Sequence, residues 1–481
     1  MKLAALIPDV PPRQADVDIA EVTADSRKVK AGFLFVAIPG VKADGSQFIH
    51  DAIARGASAV LTESESAAAI AESAPIIRVA DTRAALSRAA AALHPRQPET
   101  IVAVTGTSGK TSVADFARQI FAADGKISAS VGTLGVIKSD GTSYGSLTTP
   151  DPVTLHKTLD SLAGEGVTHL AMEASSHGLD QKRLDGVKLK SAAFTNLGRD
   201  HLDYHPTVED YLVAKLRLFT TLLPADGVAM INRDGDRAGD VERTARARGL
   251  RIVTVGRAGK DIRLVSARRE GFAQALAIEH AGRTFEARLP LIGEFQVSNA
   301  LTAAGLALSV GASADRVFAA FDSLRGVPGR LETIGEARGG VALVDYSHKP
   351  DALATVLGAL RPFASGRLVV VFGCGGDRDR GKRPLMGSIA VEKADRVIVT
   401  DDNPRSEEPA EIRRQVLAAA PGAIEIGDRA EAIHAAVADM SAGDVVLIAG
   451  KGHETGQIIG DRVLPFSDHE VVRAALRELG A

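Results

Sequence analysis

Gly106-Thr107-Ser108-Gly109-Lys110-Thr111 stands between an apolar run at 101–105 and a helical period over 112–123. Strand, glycine-rich loop and helix in that order turn backbone N–H groups and a helix N-terminus toward an anion. The pattern predicts a phosphate cradle in which Lys110 neutralises the β and γ oxygens and the Thr111 hydroxyl ligates Mg²⁺. The general motif has a further glycine where this chain has Val104, so the loop is a shortened variant. Oxygen and nitrogen donors for a hard cation follow at the ends of two later β-type runs. These are Glu173 after 168–172 and Asp200-His201-Leu202-Asp203-Tyr204-His205 after 191–196. Lys215 falls on the apolar stripe of Val208, Tyr211, Leu212, Phe219 and Leu222, in a helix opened by Thr207 with Asp210 three residues on. A lysine facing inward must be ion-paired, neutral or covalently modified, unless it snorkels out at the edge of the stripe.

Four more apolar runs end in polar loops. Residues 341–344 lead into Asp345-Tyr346-Ser347-His348-Lys349-Pro350, and 368–372 into Gly373-Cys374-Gly375-Gly376-Asp377-Arg378. Residues 396–400 lead into Asp401-Asp402-Asn403-Pro404-Arg405, and 445–449 into Gly450-Lys451-Gly452-His453-Glu454. Loops that follow parallel strands meet at one sheet edge, so four of them predict a single crevice whose ligand carries both charge signs.

The elements that must position these residues alternate, β-type runs with Ala-rich amphipathic helices, which predicts an α/β fold of parallel sheets and crossover helices. Pro95 and Pro98 break the chain after a helix at 82–93, and the Gly/Pro-rich stretch 325–330 breaks it again. Three domains are expected, at 1–95, 96–329 and 330–481, in a chain of 481 residues. Lys+Arg of 57 against Asp+Glu of 60 gives a formal net charge of -3, so a basic nucleic-acid-binding surface is not expected. A lone cysteine, Cys374, excludes an intramolecular disulfide framework. No segment has the apolar length of a signal sequence or a membrane span, and a cytoplasmic location is expected.

With GTSGKT at 106, EASSHGL at 173, DHLDYH at 200, Lys215, GRLE at 329, DYSHKP at 345, GCGGDRDRGKRP at 373, DNPR at 402 and GKGHE at 450, the chain resembles the Mur ligases from end to end. The resemblance implies a UDP-binding N-terminal domain, a central P-loop ATPase domain and a Rossmann-like C-terminal domain, acting as a monomer on small molecules. It further implies ATP-dependent addition of meso-diaminopimelate to UDP-N-acetylmuramoyl-L-Ala-D-Glu, in peptidoglycan synthesis, through an acyl phosphate. By the same resemblance ATP is held by Gly106, Thr107, Ser108, Gly109, Lys110, Thr111, Ser112, Asn299, Arg330 and Asp345. Mg²⁺ is implied at Thr111, Glu173, His201 and a carbamylated Lys215, a modification that answers the burial problem by making an anionic ligand. The UDP-muramoyl dipeptide is implied at Ser26, Thr148, Thr149, Ser175, Gln181 and Arg183. Diaminopimelate carries an amino acid head at its far end where lysine offers only an ammonium. The resemblance assigns its distal carboxylate to Arg405 in the Asp402-Asn403-Pro404-Arg405 motif. Asp402, Asn403, Gly450 and Glu454 are assigned near the distal ammonium and Arg378 to the other carboxylate. His348 is a candidate to assist amine deprotonation.

Three departures from the family pattern, Gln296, the pair Ser347 and Lys349, and Ser112, fall on nucleotide contacts. Lysine addition, a folylpolyglutamate-type activity and a P-loop switch that makes no bond are the rival readings. The DNPR motif and the uridine-type segments Asp25-Ser26-Arg27 and 32–40 weigh against the first two, and ligand-bearing loops along the whole chain weigh against the third.

Overall fold

Strands covered by helices on both sides need apolar side chains on both faces, and the runs noted above supply them. The computed structural model describes residues 1–8, 10–40, 44–65, 74–138, 140, 143–144, 148–201 and 204–480. It forms two compact units: Met1–Leu197 with His205–Asp261 and Thr302–Val317, and Gly198–Tyr204 with Ile262–Leu301 and Phe318–Ala481.

The first unit holds two sheets. One is all parallel, in the order β1 (Glu21–Thr23), β2 (Phe33–Ala37), β3 (Ala57–Thr62) and β4 (Ile76–Arg78). The other contains β5 (Thr100–Thr105), β6 (Ser128–Gly132), β7 (Gly135–Lys138), β8 (Ser143–Tyr144), β9 (His169–Glu173), β10 (Leu189–Phe194), β11 (Val228–Asn232) and β12 (Arg251–Gly256). Their order is β12-β11-β10-β5-β9-β6-β7-β8, parallel from β12 to β6 and antiparallel beyond. After β5 the chain crosses to β6 on one side and later returns to β10 on the other, so β5 is the switch point where a crevice opens at the strands' carboxyl ends. The two sheets are tied through the helices Thr82–Leu93 and Pro152–Gly164. Ser87 donates to the Lys182 carbonyl at 2.6 Å, and Glu21 pairs with Lys157 at 2.5 Å.

In the second unit β13 (Ile262–Glu270), β14 (Ala273–His280) and β15 (Arg283–Leu289) form an antiparallel meander. A second sheet runs β16 (Glu332–Ala337), β17 (Gly340–Asp345), β21 (Val445–Ala449), β18 (Leu368–Phe372), β19 (Arg396–Val399) and β20 (Ile424–Glu425), a hairpin of β22 (Gly456–Ile459) and β23 (Arg462–Pro465) following β21. Only β16 is antiparallel to its neighbour in that sheet. The registers Asp345↔Ala449, Phe372↔Ala449 and Phe372↔Val399 bring the four polar loops foreseen from sequence to one edge.

Arg429 and Asp468 hold that edge from beneath. Both side chains are 0% exposed and pair through two hydrogen bonds of 2.7 and 2.8 Å. The guanidinium also donates to the carbonyls of Ala449 at 3.0 Å and Asp401 at 3.4 Å, the points where two of the loops begin. Removing one partner of a buried pair leaves an uncompensated charge, so Asp468→Leu is expected to lower the unfolding free energy by about 3–5 kcal/mol. Urea titration of the purified variant reads this as a lower midpoint with an unchanged slope.

Candidate active site

The loop after β5 takes its shape from glycine and from neighbouring carbonyls. Gly106 has φ 146, and a Cβ there would collide with the Thr195 hydroxyl. Gly109, at φ 86, precedes the helix Lys110–Ala123. The N–H of Thr107 donates to the Asn196 carbonyl at 2.9 Å and that of Ser108 to Asn196 Oδ1 at 3.1 Å, while Thr195 donates to the Ser108 carbonyl at 2.7 Å. Lys110 Nζ donates to the carbonyls of Gly106 at 2.9 Å and Thr107 at 3.0 Å. Lys215 also reaches the Gly106 carbonyl, at 2.7 Å, and lies 4.3 Å from the centre of the Tyr211 ring. At 1% exposure Lys215 does not snorkel to solvent.

Thr111, Asp115, Gly132 and Glu173 line one small cavity in the same unit. The Glu173 carboxylate accepts from the Thr133 N–H at 2.7 Å and the Thr133 hydroxyl at 3.3 Å, and Thr133 and Thr148 share a hydroxyl contact of 3.0 Å. Thr149 donates to the Glu173 carbonyl at 3.2 Å and accepts from the Ser175 N–H at 3.1 Å. Ser175 caps the helix Ser176–Asp180 through the Gly178 N–H at 3.0 Å. Arg183 donates to the Thr149 carbonyl at 2.7 Å and to Gln181 Oε1 at 2.8 and 3.2 Å. Glu173, Thr148, Thr149, Ser175, Gln181 and Arg183 are thus linked into one polar network. Ser26, 8% exposed, opens the 3-10 turn Ser26–Lys28 between β1 and β2 and follows the Asp25 cap.

His201 lies in the second unit, with φ 52 and its ring 3.2 Å from the Asp200 carboxylate. Leu202 and Asp203 of the same motif lie outside the described residues. Among the described residues no three His, Cys, Asp or Glu side chains gather as a ready metal cage. Thr111 and Glu173 supply oxygen donors of the kind Mg²⁺ takes when phosphate and water complete its shell.

Elsewhere in the second unit Asn299 donates to Gln296 Oε1 at 3.0 Å, and Gln296 to the Arg330 carbonyl at 3.5 Å. Arg330 lies 4.3 Å over the Tyr346 ring. Asp345 accepts from the N–H groups of Leu331 at 2.6 Å and Ser347 at 2.7 Å, and burial raises its pKa. Lys349 is ion-paired with Asp200. His348 Nδ1 is 2.8 Å from the Tyr346 carbonyl, and Lys382 donates to the His348 carbonyl at 2.8 Å. Desolvation, then the charges of Lys349 and Lys382, push the His348 imidazole down to about 3. It is a neutral ring and a weak base near neutral pH.

In the loop after β19 Asp402 is 6% exposed, its Oδ1 3.6 Å from Lys451 Nζ. Asn403 donates to Glu454 at 2.9 Å and accepts from Lys451 at 3.1 Å. Arg405 donates to the Gly376 carbonyl at 2.9 Å. Gly450, at φ 121, faces the Asp402 carboxylate, whereas Arg378 is exposed. Two residues that sequence reasoning did not single out organise this crevice. Lys451, 0% exposed, stands among Asp402, Asn403 and Glu454. Arg383, also 0% exposed, forks onto Glu407 at 2.9 and 3.0 Å and donates to the Gly375 carbonyl at 3.2 Å. Their signal was the usual rarity of buried Lys and Arg, unreadable until burial is known.

Three family models match the chain: "Mur ligase family, catalytic domain" at residues 18–94, "Mur ligase middle domain" at 104–307 and "Mur ligase, glutamate ligase domain" at 329–452. A relative in Bradyrhizobium diazoefficiens, named UDP-N-acetylmuramoyl-L-alanyl-D-glutamate--2,6-diaminopimelate ligase, is 56% identical over 99% of both chains. The chain belongs to the Mur ligase family. A Caulobacter vibrioides relative of the same name is 51% identical over 98% of both chains. A solved structure of an enzyme of that name superposes on this Mur ligase with a TM-score of 0.73 at 34% identity, covering 100% of this chain and 99% of its own. MurF from Thermotoga maritima in complex with ADP shares the fold at a TM-score of 0.63 and 20% identity, over 96% and 98% of the two chains. The expected α/β, three-domain Mur ligase fold therefore holds.

The depressed pKa of His348 sets an acid limit on this architecture. Between the ordinary histidine value and about 3 the unfolded chain binds a proton at this residue that the folded chain does not. Stability is therefore lost as pH falls through that window. His348→Gln is expected to flatten this loss relative to the parent, as read by urea unfolding at a series of pH values from 7 down to 4.

Proposed function

We propose that this Mur ligase uses ATP to join meso-diaminopimelate to the D-glutamyl carboxylate of UDP-N-acetylmuramoyl-L-Ala-D-Glu, as a cytoplasmic monomer in peptidoglycan synthesis. The observation that carries the reading is the crevice after β19 and β21. There Arg405 donates to the carbonyls of Gly376 and Asn403, and Asn403 joins Asp402, Lys451 and Glu454, so charges of both signs stand ready for an amino acid head bearing one carboxylate and one ammonium. The names of the relatives agree with it. The assignment divides the chain into a UDP-substrate domain at 1–95, an ATP domain at 96–329 and an acceptor domain at 330–481.

A carboxylate is a poor electrophile. The D-glutamyl carboxylate oxygen attacks the γ-phosphorus of ATP, the bond to ADP breaks, and an acyl phosphate forms. The diaminopimelate amine then attacks the acyl carbon, phosphate leaves and the amine releases its proton. Lys110 exchanges its loop carbonyls for phosphate oxygens, and the first-turn N–H groups of 110–112, at the start of the helix Lys110–Ala123, are available to the same anion. Asn299, Arg330 and Asp345 are assigned to the nucleoside, and Ser26, Thr148, Thr149, Ser175, Gln181 and Arg183 to the UDP-muramoyl dipeptide. Thr111, Glu173, His201 and a carbamylated Lys215 are assigned to hold Mg²⁺, which when bound offsets charge on the phosphates. Lys215 as an amine donates to the Gly106 carbonyl and has no lone pair to offer a metal while protonated, so the ligand role requires the modification. Arg405 with Asp402, Asn403, Pro404, Gly450 and Glu454 holds the far end of diaminopimelate, and Arg378 its other carboxylate. His348, kept neutral, serves as a hydrogen-bond partner for the incoming amine.

Phosphate release from ATP by the purified protein, with UDP-N-acetylmuramoyl-L-Ala-D-Glu, should require diaminopimelate and be absent with L-lysine or no amino acid. Arg405→Ala should lower kcat/KM for diaminopimelate by about 100-fold or more, the cost of removing one partner from a charge pair. Release with lysine alone would overturn the acceptor, and no release under any condition would overturn the ligase reading.

A further inference from the structure

Arg405 holds φ 53, a left-handed conformation that side chains with a Cβ adopt only when their surroundings impose it. The surroundings are the β22–β23 hairpin. The Arg405 N–H donates to the Ile458 carbonyl at 3.0 Å, and the Gly460 N–H donates to the Arg405 carbonyl at 2.7 Å, so the residue pairs with the hairpin through both its backbone groups. The same hairpin grips the two residues ahead of Pro404. Gln457 Nε2 donates to the Asp402 carbonyl at 2.8 Å, and the Ile458 N–H donates to Asn403 Oδ1 at 2.9 Å. Four hydrogen bonds from 457–460 therefore fix the backbone or amide of three residues in a loop of four.

The hairpin is a poor candidate for a core element. It forms a two-stranded sheet of its own, and Ile459 and Val463 are 41% and 68% exposed. A lone two-stranded hairpin is marginal in water, so it and the loop hold each other. A guanidinium that must meet a carboxylate through two parallel hydrogen bonds tolerates little displacement, and here its backbone is set by the hairpin.

We propose that Gln457, through the β22–β23 hairpin, is a positioning residue for acceptor recognition, fixing Asp402 and Arg405 in the geometry that selects the far end of the amino acid. Gln457 touches the carbonyl of Asp402 and not the reacting atoms, so its effect falls on the acceptor. The inference rests on the diaminopimelate reading above.

The test is steady-state phosphate release by the full chain as each substrate is varied, in the parent, Gln457→Leu, which keeps bulk and loses the donor, and Gln457→Lys, which keeps a donor. Gln457→Leu is expected to raise KM for diaminopimelate about three- to tenfold, the effect of one lost hydrogen bond. KM for ATP and for the UDP-dipeptide, kcat and the melting temperature should stay within twofold or a few degrees of the parent, and Gln457→Lys should recover most of the loss. Unchanged KM for diaminopimelate in Gln457→Leu, or an equal loss for all three substrates with a lower melting temperature and no recovery by Gln457→Lys, overturns the proposal. If the parent releases no phosphate with diaminopimelate, the functional reading itself fails and the inference falls with it; an active parent with an unaffected Gln457→Leu sinks the inference alone.

Discussion

Parallel strands buried on both faces leave the chain few places for charge. In β5, β9, β17, β18 and β21 nearly every side chain is withdrawn from solvent, so polar chemistry is confined to the loops at the strand ends. The glycine-rich loop after β5, Glu173 at the end of β9, and the loops after β17, β18, β19 and β21 all obey this constraint. Each charged group that enters from such an edge must find a partner there, because desolvation of an uncompensated charge is too costly. Lys215 finds a carbonyl and an aromatic face, Lys451 a cluster of oxygens, Arg383 a glutamate and Arg429 an aspartate.

The partners do more than compensate. Arg429 joins the carbonyls that open the loops after β19 and β21, and Arg383 joins the loop after β18 to the one after β19 through Glu407, whose carboxylate accepts from the Asp377 N–H at 2.7 Å. Rigid, buried ion pairs supply the second layer that keeps ligand-facing side chains in place. Buried pairs are weak devices for stability but suitable ones for fixing a single arrangement.

Much of this was legible in the sequence because it depends on local pattern. Apolar runs of four to six residues marked the strands that carry the polar loops, and the helix at 82–93 coincides with the element Thr82–Leu93 because Asp81 caps it and prolines follow it. Spacing placed Lys215 on the apolar stripe, but only its 1% exposure decides between burial and snorkelling at the stripe edge. Other features depend on tertiary contact and were out of reach: the π-helical turn Leu218–Leu222 that ends the Lys215 helix, the support of the phosphate loop by Thr195 and Asn196, and the role of Gln457. A glutamine in a hairpin strand has no pattern that announces its partner 55 residues away. His348 was legible as a polar loop residue, but its neutrality comes first from burial and then from Lys349 and Lys382, the second brought close only by the sheet order.

Lys110 and, while it is an unmodified amine, Lys215 both donate to the one carbonyl of Gly106, so the loop gathers its lysines before any anion arrives. A polyphosphate approaching it therefore meets lysine side chains already gathered on backbone carbonyls of the loop. Binding becomes an exchange of weak acceptors for charged ones, with little side-chain freedom left to lose. The loop's selectivity among anions then follows from how well each replaces a carbonyl at Lys110 while leaving Lys215 in place, a criterion of geometry more than of total charge.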